Sequence, residues 1–136
     1  DLDPVADKHQ IRLIQTEGDC TVTGSYILLY RAVYNLVENA IKYNRPSGSV
    51  TVNIHSAESA VLEVTDTGIG ISPENQEKIF DPFYRVDKSR SRAMGGAGLG
   101  LALVSEIARQ HNGQVKVTQS SEKGSTIALM LPVTLL

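Results

Sequence analysis

Three short stretches hold the residues whose types and spacing could do chemistry. In the first, Asn35, Glu38, Asn39 and Lys42 recur at helical intervals. On a helix they share an arc of about 100°, while Leu29, Val33, Leu36, Val37 and Ala40 gather on the opposite side. A merely solvated face would be built from Lys, Glu and Gln, because Asn competes for its own backbone and is a poor helix former. Two Asn one turn apart cost local propensity, so a ligand-binding face stands as the alternative to a plain surface. Mg2+ takes hard oxygen ligands and keeps several waters, so one side-chain oxygen together with ligand phosphates is enough to hold it. Asn39 could supply that oxygen without a charge that repels phosphate. Lys42, a turn further on, could neutralise a phosphate, and Asn35 could ligate directly or through water.

The second stretch is Asp66-Thr67-Gly68-Ile69-Gly70, between a strand and a helix. Read blandly it is a glycine turn. Read chemically, an Asp at a strand end can accept from an exocyclic amine, and flanking glycines let a flat ring approach the backbone; adenine offers both the amine and the ring. The third is Gly95-Gly96-Ala97-Gly98-Leu99-Gly100-Leu101 at the start of a helix, where free N–H groups and the helix dipole favour an anion. It is a bare glycine loop or a phosphate cradle. No Gly-Lys-Ser/Thr is present, which excludes a Walker loop, and no Gly-x-Gly-x-x-Gly run supports a dinucleotide fold. His9, His55 and His111 have neither zinc spacing nor a local nucleophile, so structural roles are expected. Cys20 stands alone, so no intrachain disulfide or cysteine metal cluster can form.

The elements that must position these residues follow from periodicity. Strands are expected over Ile11–Thr16 and Cys20–Thr23, then a helix from an N-cap at Ser25 to about Asn44, ended by Arg45-Pro46-Ser47-Gly48. Val50–Ile54 and Ala60–Thr65 alternate as a hairpin. Ser72 and Pro73 open a short helix through Ile79, and Val86–Ala97 reads as a loop. A helix over Leu99–Asn112 closes at Gly113, and Gln114–Thr118 and Ser125–Leu131 form the last hairpin. This order predicts an α+β two-layer sandwich: a mixed, mostly antiparallel sheet covered on one face by about three helices.

With 136 residues the chain is one domain, 1–136, large enough for one core. Its longest apolar runs fall far short of the roughly 20 residues that span a bilayer. A formal net charge of -2, from 13 Lys plus Arg and 15 Asp plus Glu, gives no footprint for nucleic acid or an anionic surface. The start at Asp1, without Met or a signal-like segment, suggests a piece of a longer protein.

Together the stretches resemble the catalytic, ATP-binding domain of sensor histidine kinases, in the superfamily that also holds type II topoisomerase, heat-shock chaperone and mismatch-repair ATPases. Asn35-Leu36-Val37-Glu38-Asn39-Ala40-Ile41-Lys42-Tyr43 resembles the asparagine box, and Asp66-Thr67-Gly68-Ile69-Gly70 the first glycine box. Phe80-Asp81-Pro82-Phe83-Tyr84-Arg85 is similar to the phenylalanine box, Gly96-Ala97-Gly98-Leu99-Gly100-Leu101 to the second glycine box, and Gly124-Ser125-Thr126 to a short third one.

The resemblance implies a Bergerat-type sandwich that binds ATP and Mg2+ beneath a lid at about 84–97. It implies that Asn39 binds the metal, Lys42 a phosphate, Tyr43 the adenine face and Asp66 the adenine amine. Asn35, Gly68, Gly70, Ile71, Tyr84, Gly96, Gly98, Leu99, Gly100 and Leu101 join the nucleotide-binding set, with Gly98 to Leu101 at the phosphates and Thr126 near the base. Arg85 would reach the γ-phosphate, with Lys88, Arg90 and Arg92 as looser candidates and Phe83 as packing. Glu38 corresponds to a general base in the superfamily's ATPases, but a kinase passes phosphate to an imidazole rather than to water. His9, followed by Gln10 and Ile11, departs from the family's acceptor His followed by an acid. The implied partners are therefore a histidine-bearing dimerisation domain of the same kinase and, indirectly, a response regulator. Nucleic acid and direct membrane contact are not expected, and the implied location is cytoplasmic, as part of a membrane-bound sensor. A nucleotide-binding regulatory module, an autonomous ATPase and a serine kinase resembling anti-sigma factors are the competing readings.

Overall fold

The computed structural model describes residues 12–15, 22–56, 58–82 and 100–133. His9, Cys20, Phe83, Tyr84, Arg85, Lys88, Arg90, Arg92, Gly95, Gly96, Ala97, Gly98, Leu99 and the lid at 84–97 lie outside them.

Among the described residues five strands form one sheet: β1 (Arg12–Gln15), β2 (Ser49–Ser56), β3 (Ser59–Asp66), β4 (Gln114–Ser121) and β5 (Gly124–Pro132), in the spatial order β1-β2-β3-β5-β4. β1 runs parallel to β2 and the other pairings are antiparallel, giving the expected mixed sheet. Among the described residues two α-helices, α1 (Tyr26–Lys42) and α2 (Gly100–Gln110), pack against each other and the sheet. Alternation assigns the faces: Val50, Val64, Ile127 and Leu129 meet Leu36, Ile41, Val104 and Ile107 in a buried core. The residues between them, including Asn53, His55, Glu63 and Lys116, share the opposite face. There His55 Nε2 lies 3.1 Å from Glu63 Oε1.

α1 forms where its pattern says it should. The Ser25 side chain accepts the Leu28 N–H at 3.3 Å as N-cap, and Ala32, Leu36, Val37, Ala40 and Ile41 are buried along one stripe. His111 pins this end structurally: its Nε2 accepts the Ser25 N–H at 3.1 Å, so its Nδ1 must donate, to Ile107 O at 2.8 Å.

Three local expectations are corrected. The segment opened by Pro73 is two 3-10 turns, Pro73–Asn75 and Lys78–Phe80, rather than an α-helix. Only Ile79 is buried in it, too little apolar surface to offset the cost of nucleating a helix, and Ser72 accepts from the Asn75 side chain at 2.7 Å instead of capping the backbone. At the end of α2 the left-handed residue is Asn112 (φ 61), not Gly113. Gly113 N–H bonds Ala108 O at 2.8 Å and Asn112 N–H bonds Arg109 O at 3.1 Å, a Schellman pair, while a Cβ on Gly113 would stand 2.1 Å from Met130 O. Val22 and Thr23, the described part of the expected second strand, lie outside the sheet.

Candidate functional site

Because Leu36, Val37, Ala40 and Ile41 fix the rotation of α1, the half-buried Asn35, Glu38, Asn39 and Lys42 are held on its other flank. Asn35 Nδ2 donates to Gly100 O at 3.4 Å, so the asparagine face adjoins the first residue of α2. A cavity of about 510 Å³ opens there, lined by Arg31, Asn35, Gly100, Ala102 and Leu103. Lys42 Nζ lies 3.6 Å from Glu38 Oε1, one turn apart, so the cation and the carboxylate neutralise each other. Among the described residues no hydrogen bond holds the Asn39 side-chain amide, and no cluster of three His, Cys, Asp or Glu could hold a metal. A single amide oxygen fits Mg2+ only where ligand phosphates and water complete the shell.

Asp66 ends β3 on the helix-facing side of the sheet, in register with Ser125. One carboxylate oxygen, Oδ1, accepts two backbone N–H groups, from Gly68 at 2.9 Å and Ser125 at 3.2 Å. Among the described residues Oδ2 has no partner. Burial raises the Asp66 pKa above the ordinary carboxylate range, and the two N–H bonds offset part of that rise. A desolvated carboxylate with one uncommitted oxygen is built to accept a hydrogen bond from a ligand.

Two glycines of this loop serve close backbone approach. A Cβ on Gly68 would stand 2.5 Å from the Tyr43 carbonyl, which brings the end of α1 against the loop. Gly70 has φ +80, and its Cβ would meet Ser121 O at 2.0 Å. Their room is thus taken by the protein's own backbone, where the sequence suggested room for a ring. Ile71, next along, is half-buried against the core.

Thr126, expected near the base, and its neighbour Ser125 lie on opposite faces of the sheet. Thr126 faces the other side of the sheet, its hydroxyl 2.9 Å from that of Thr65, whereas Ser125 shares the face of Asp66 and donates to it. A shift of one residue along a strand exchanges faces, and the motif alone did not fix which residue points inward. Thr126 still borders the cavity of about 670 Å³ at this end of the sheet, whose lining includes Asp66, Gln76, Ser120 and Ser125. That volume lies within the roughly 300–1,000 Å³ of small-molecule sites.

Asn44 was not singled out by the sequence except as a helix end. It is 5% exposed; its Nδ2 donates to Ser49 O at 2.8 Å, and its Oδ1 accepts from Arg45 N at 2.8 Å and Thr67 Oγ1 at 3.0 Å. Thr67 Oγ1 in turn accepts the Ser49 N–H at 2.9 Å. This amide ties the end of α1 to the start of β2 and to the Asp66 loop. An Asn directly after an apolar helical stripe was the available signal. Gly100 and Leu101 open α2 beside Asn35.

The family described as histidine kinase-, DNA gyrase B-, and HSP90-like ATPase matches residues 24–135. Sensor histidine kinase RppB of Synechocystis is 44% identical over 119 residues, 87% of this chain and 26% of that protein. Sensor-like histidine kinase SenX3 of Mycobacterium tuberculosis is 49% identical over 113 residues, 82% of this chain and 27% of that protein. The chain spans about a quarter of the length of these relatives. Among solved structures, the mycobacterial sensor histidine kinase MprB superposes with a TM-score of 0.83 at 31% identity, covering 99% of this chain and 91% of that one. ShkA, solved full-length in complex with AMPPNP, superposes with a TM-score of 0.85 at 25% identity, covering 99% of this chain and 28% of that one. With its sheet, its asparagine helix and its Asp66 loop in this arrangement, the chain belongs to the histidine kinase-, DNA gyrase B- and HSP90-like ATPase family and corresponds to the catalytic ATP-binding domain of a sensor histidine kinase.

Proposed function

We propose that the chain binds ATP with Mg2+ and donates the γ-phosphate to a histidine on a separate dimerisation domain of the same kinase, from which a response regulator is served in turn. The observation that carries this reading is Asp66: a half-buried carboxylate whose Oδ1 is fixed by two backbone N–H groups while Oδ2 has no partner among the described residues. An adenine amine supplies the donor that Oδ2 lacks. Adenine would stack on Tyr43 and lie against Ile71, and the phosphates would run towards Asn35 and the start of α2 at Gly100 and Leu101, with Gly98 and Leu99 completing the cradle. Ser125 replaces Thr126 as the hydroxyl beside the base.

In this assignment Asn39 holds Mg2+ by its amide oxygen. The metal, when bound, neutralises phosphate charge as the phosphoryl group moves. Lys42 is released from Glu38 to a phosphate, which leaves Glu38 to orient rather than to deprotonate water. Arg85 takes the γ-phosphate. Positioning and charge neutralisation supply most of the catalysis in phosphoryl transfer, so no covalent role is asked of these residues. No helix among the described residues is long and apolar enough to cross a membrane; the proposed location is cytoplasmic.

The test is transfer of label from γ-labelled ATP to the histidine-bearing domain of the same protein, added in trans. Acid-labile, base-stable phosphate on that domain is the expected result. Nucleotide binding without transfer would instead make the chain a regulatory module, and steady phosphate release lost in Glu38→Ala would make it an ATPase.

A further inference from the structure

Ile71 has both backbone polar groups held by side chains from elsewhere in the chain. Its N–H donates to Ser120 Oγ at 2.6 Å, and its carbonyl accepts from Gln76 Nε2 at 3.0 Å. Ser120 Oγ lies 3.0 Å from Ser125 Oγ, and Ser125 N–H donates to Asp66 Oδ1. The links Ile71 to Ser120, Ser120 to Ser125 and Ser125 to Asp66 close a ring around the loop from Asp66 to Ile71.

The inward aim of Ser120 comes from a β-bulge. Val117 pairs with Ile127 but Gln119 pairs with Thr126, so Thr118 is an extra residue. Before it, the odd-numbered Val115 and Val117 pack against the core; after it, the even-numbered Ser120 turns to that side and meets Ser125. Regular pairing would have put Ser120 on the far face. The bulge also sets Ser121 O against Gly70 at a separation that a Cβ could not tolerate.

We infer that Ser120, assisted by Gln76, is a positioning residue for base recognition: it fixes Ile71 and Asp66 relative to one another, so the preference for adenine depends on the bulged end of β4. The inference rests on the nucleotide reading above. Ser120→Ala leaves the part-buried Ile71 N–H without its acceptor, and the loop recovers that bond only by moving away from the geometry that Asp66 requires.

The experiment titrates the 136-residue chain and its variants with ATP-Mg and GTP-Mg by calorimetry, alongside thermal melts without nucleotide. Ser120→Ala is expected to weaken ATP roughly tenfold, as one unsatisfied part-buried donor implies, while GTP changes less, so that the ATP:GTP ratio falls. Ser120→Thr, which keeps the hydroxyl, is expected to restore the ratio to within about threefold of the parent. A parent that binds ATP, with a Ser120→Ala variant that keeps its ATP affinity or loses ATP and GTP equally, overturns the inference and leaves the nucleotide reading standing. A parent that binds neither nucleotide overturns both. If Ser120→Ala does not melt cooperatively, Gln76→Ala carries the comparison: it frees only the Ile71 carbonyl, and an unchanged ATP:GTP ratio there counts against the inference.

Discussion

Replacing Asp66 by Asn separates the proposed binding role of this carboxylate from its structural one. The two N–H groups of Gly68 and Ser125, at 2.9 and 3.2 Å from Oδ1, both demand an acceptor at that position. The amide oxygen of Asn must therefore stay there, and the amide NH2 is forced into the place of Oδ2. An amine donor on a ligand then meets a donor. The loss is a hydrogen bond to a charged acceptor, about 1.5–3 kcal/mol, so ATP affinity should fall roughly 10- to 150-fold. GTP, which presents a carbonyl at that ring position, should lose little or gain. The free domain should change by less than about 1 kcal/mol, because both backbone donors keep their acceptor and a desolvated charge is removed. Calorimetric titration with the two nucleotides, paired with urea unfolding of the free protein, reads both quantities. ATP affinity within about threefold of the parent, in a variant of unchanged stability, would refute the assigned contact between Asp66 and the amine.

The raised pKa of Asp66 gives a pH signature with opposite signs for stability and binding. Folded protein holds this proton more tightly than unfolded protein, so the Asp66 contribution to stability is present at low pH and lost as pH rises through its elevated folded pKa, whereas ATP affinity should grow over that window as the carboxylate forms. Comparison with Asp66→Asn isolates the effect, and a parent-minus-variant difference flat with pH would count against it. Asn44→Ala leaves the Arg45 N–H without its acceptor and removes one bond each from the Ser49 carbonyl and the Thr67 hydroxyl, which still bond each other through Thr67 N–H and Oγ1, and should cost about 1–3 kcal/mol, seen as a lower urea midpoint at unchanged slope. Gly70→Ala combines φ +80 with a Cβ 2.0 Å from Ser121 O and should cost more than about 1 kcal/mol by the same assay; a neutral result would mean the loop and the β4–β5 turn can separate freely. Asn39→Asp should alter the Mg2+ dependence of ATP binding without moving the melting temperature, and an unaltered dependence would place the metal ligand elsewhere.

Much of the fold was legible because it rests on local signals. The stripe of Leu36, Val37, Ala40 and Ile41 after a Ser25 cap demands a helix, and the alternation at Val50–Ile54 and Ala60–Thr65 demands paired strands. These same patterns left Asn35, Glu38, Asn39 and Lys42 on one flank before any tertiary contact was known. The Asp66 loop stood out as a candidate only in combination with the other stretches, because Asp and two Gly at a strand end also make a plain turn, and both glycines here do serve close backbone approach. What a strand does at its far end was not legible: a single extra residue at Thr118 reverses the face of Ser120, and no residue type announces it. For the same reason the sequence pointed to Thr126 where register puts Ser125 on the face of Asp66, since alternation has no local mark of phase where both neighbours carry hydroxyls. The sequence by itself thus determined α1 with its polar face and the two hairpins, set by interactions within a few residues, and its motifs pointed to the family. Tertiary structure alone decided that Asn44 locks three elements together, and that Asp66 keeps one oxygen uncommitted among the described residues, because both depend on backbone groups brought from distant parts of the chain.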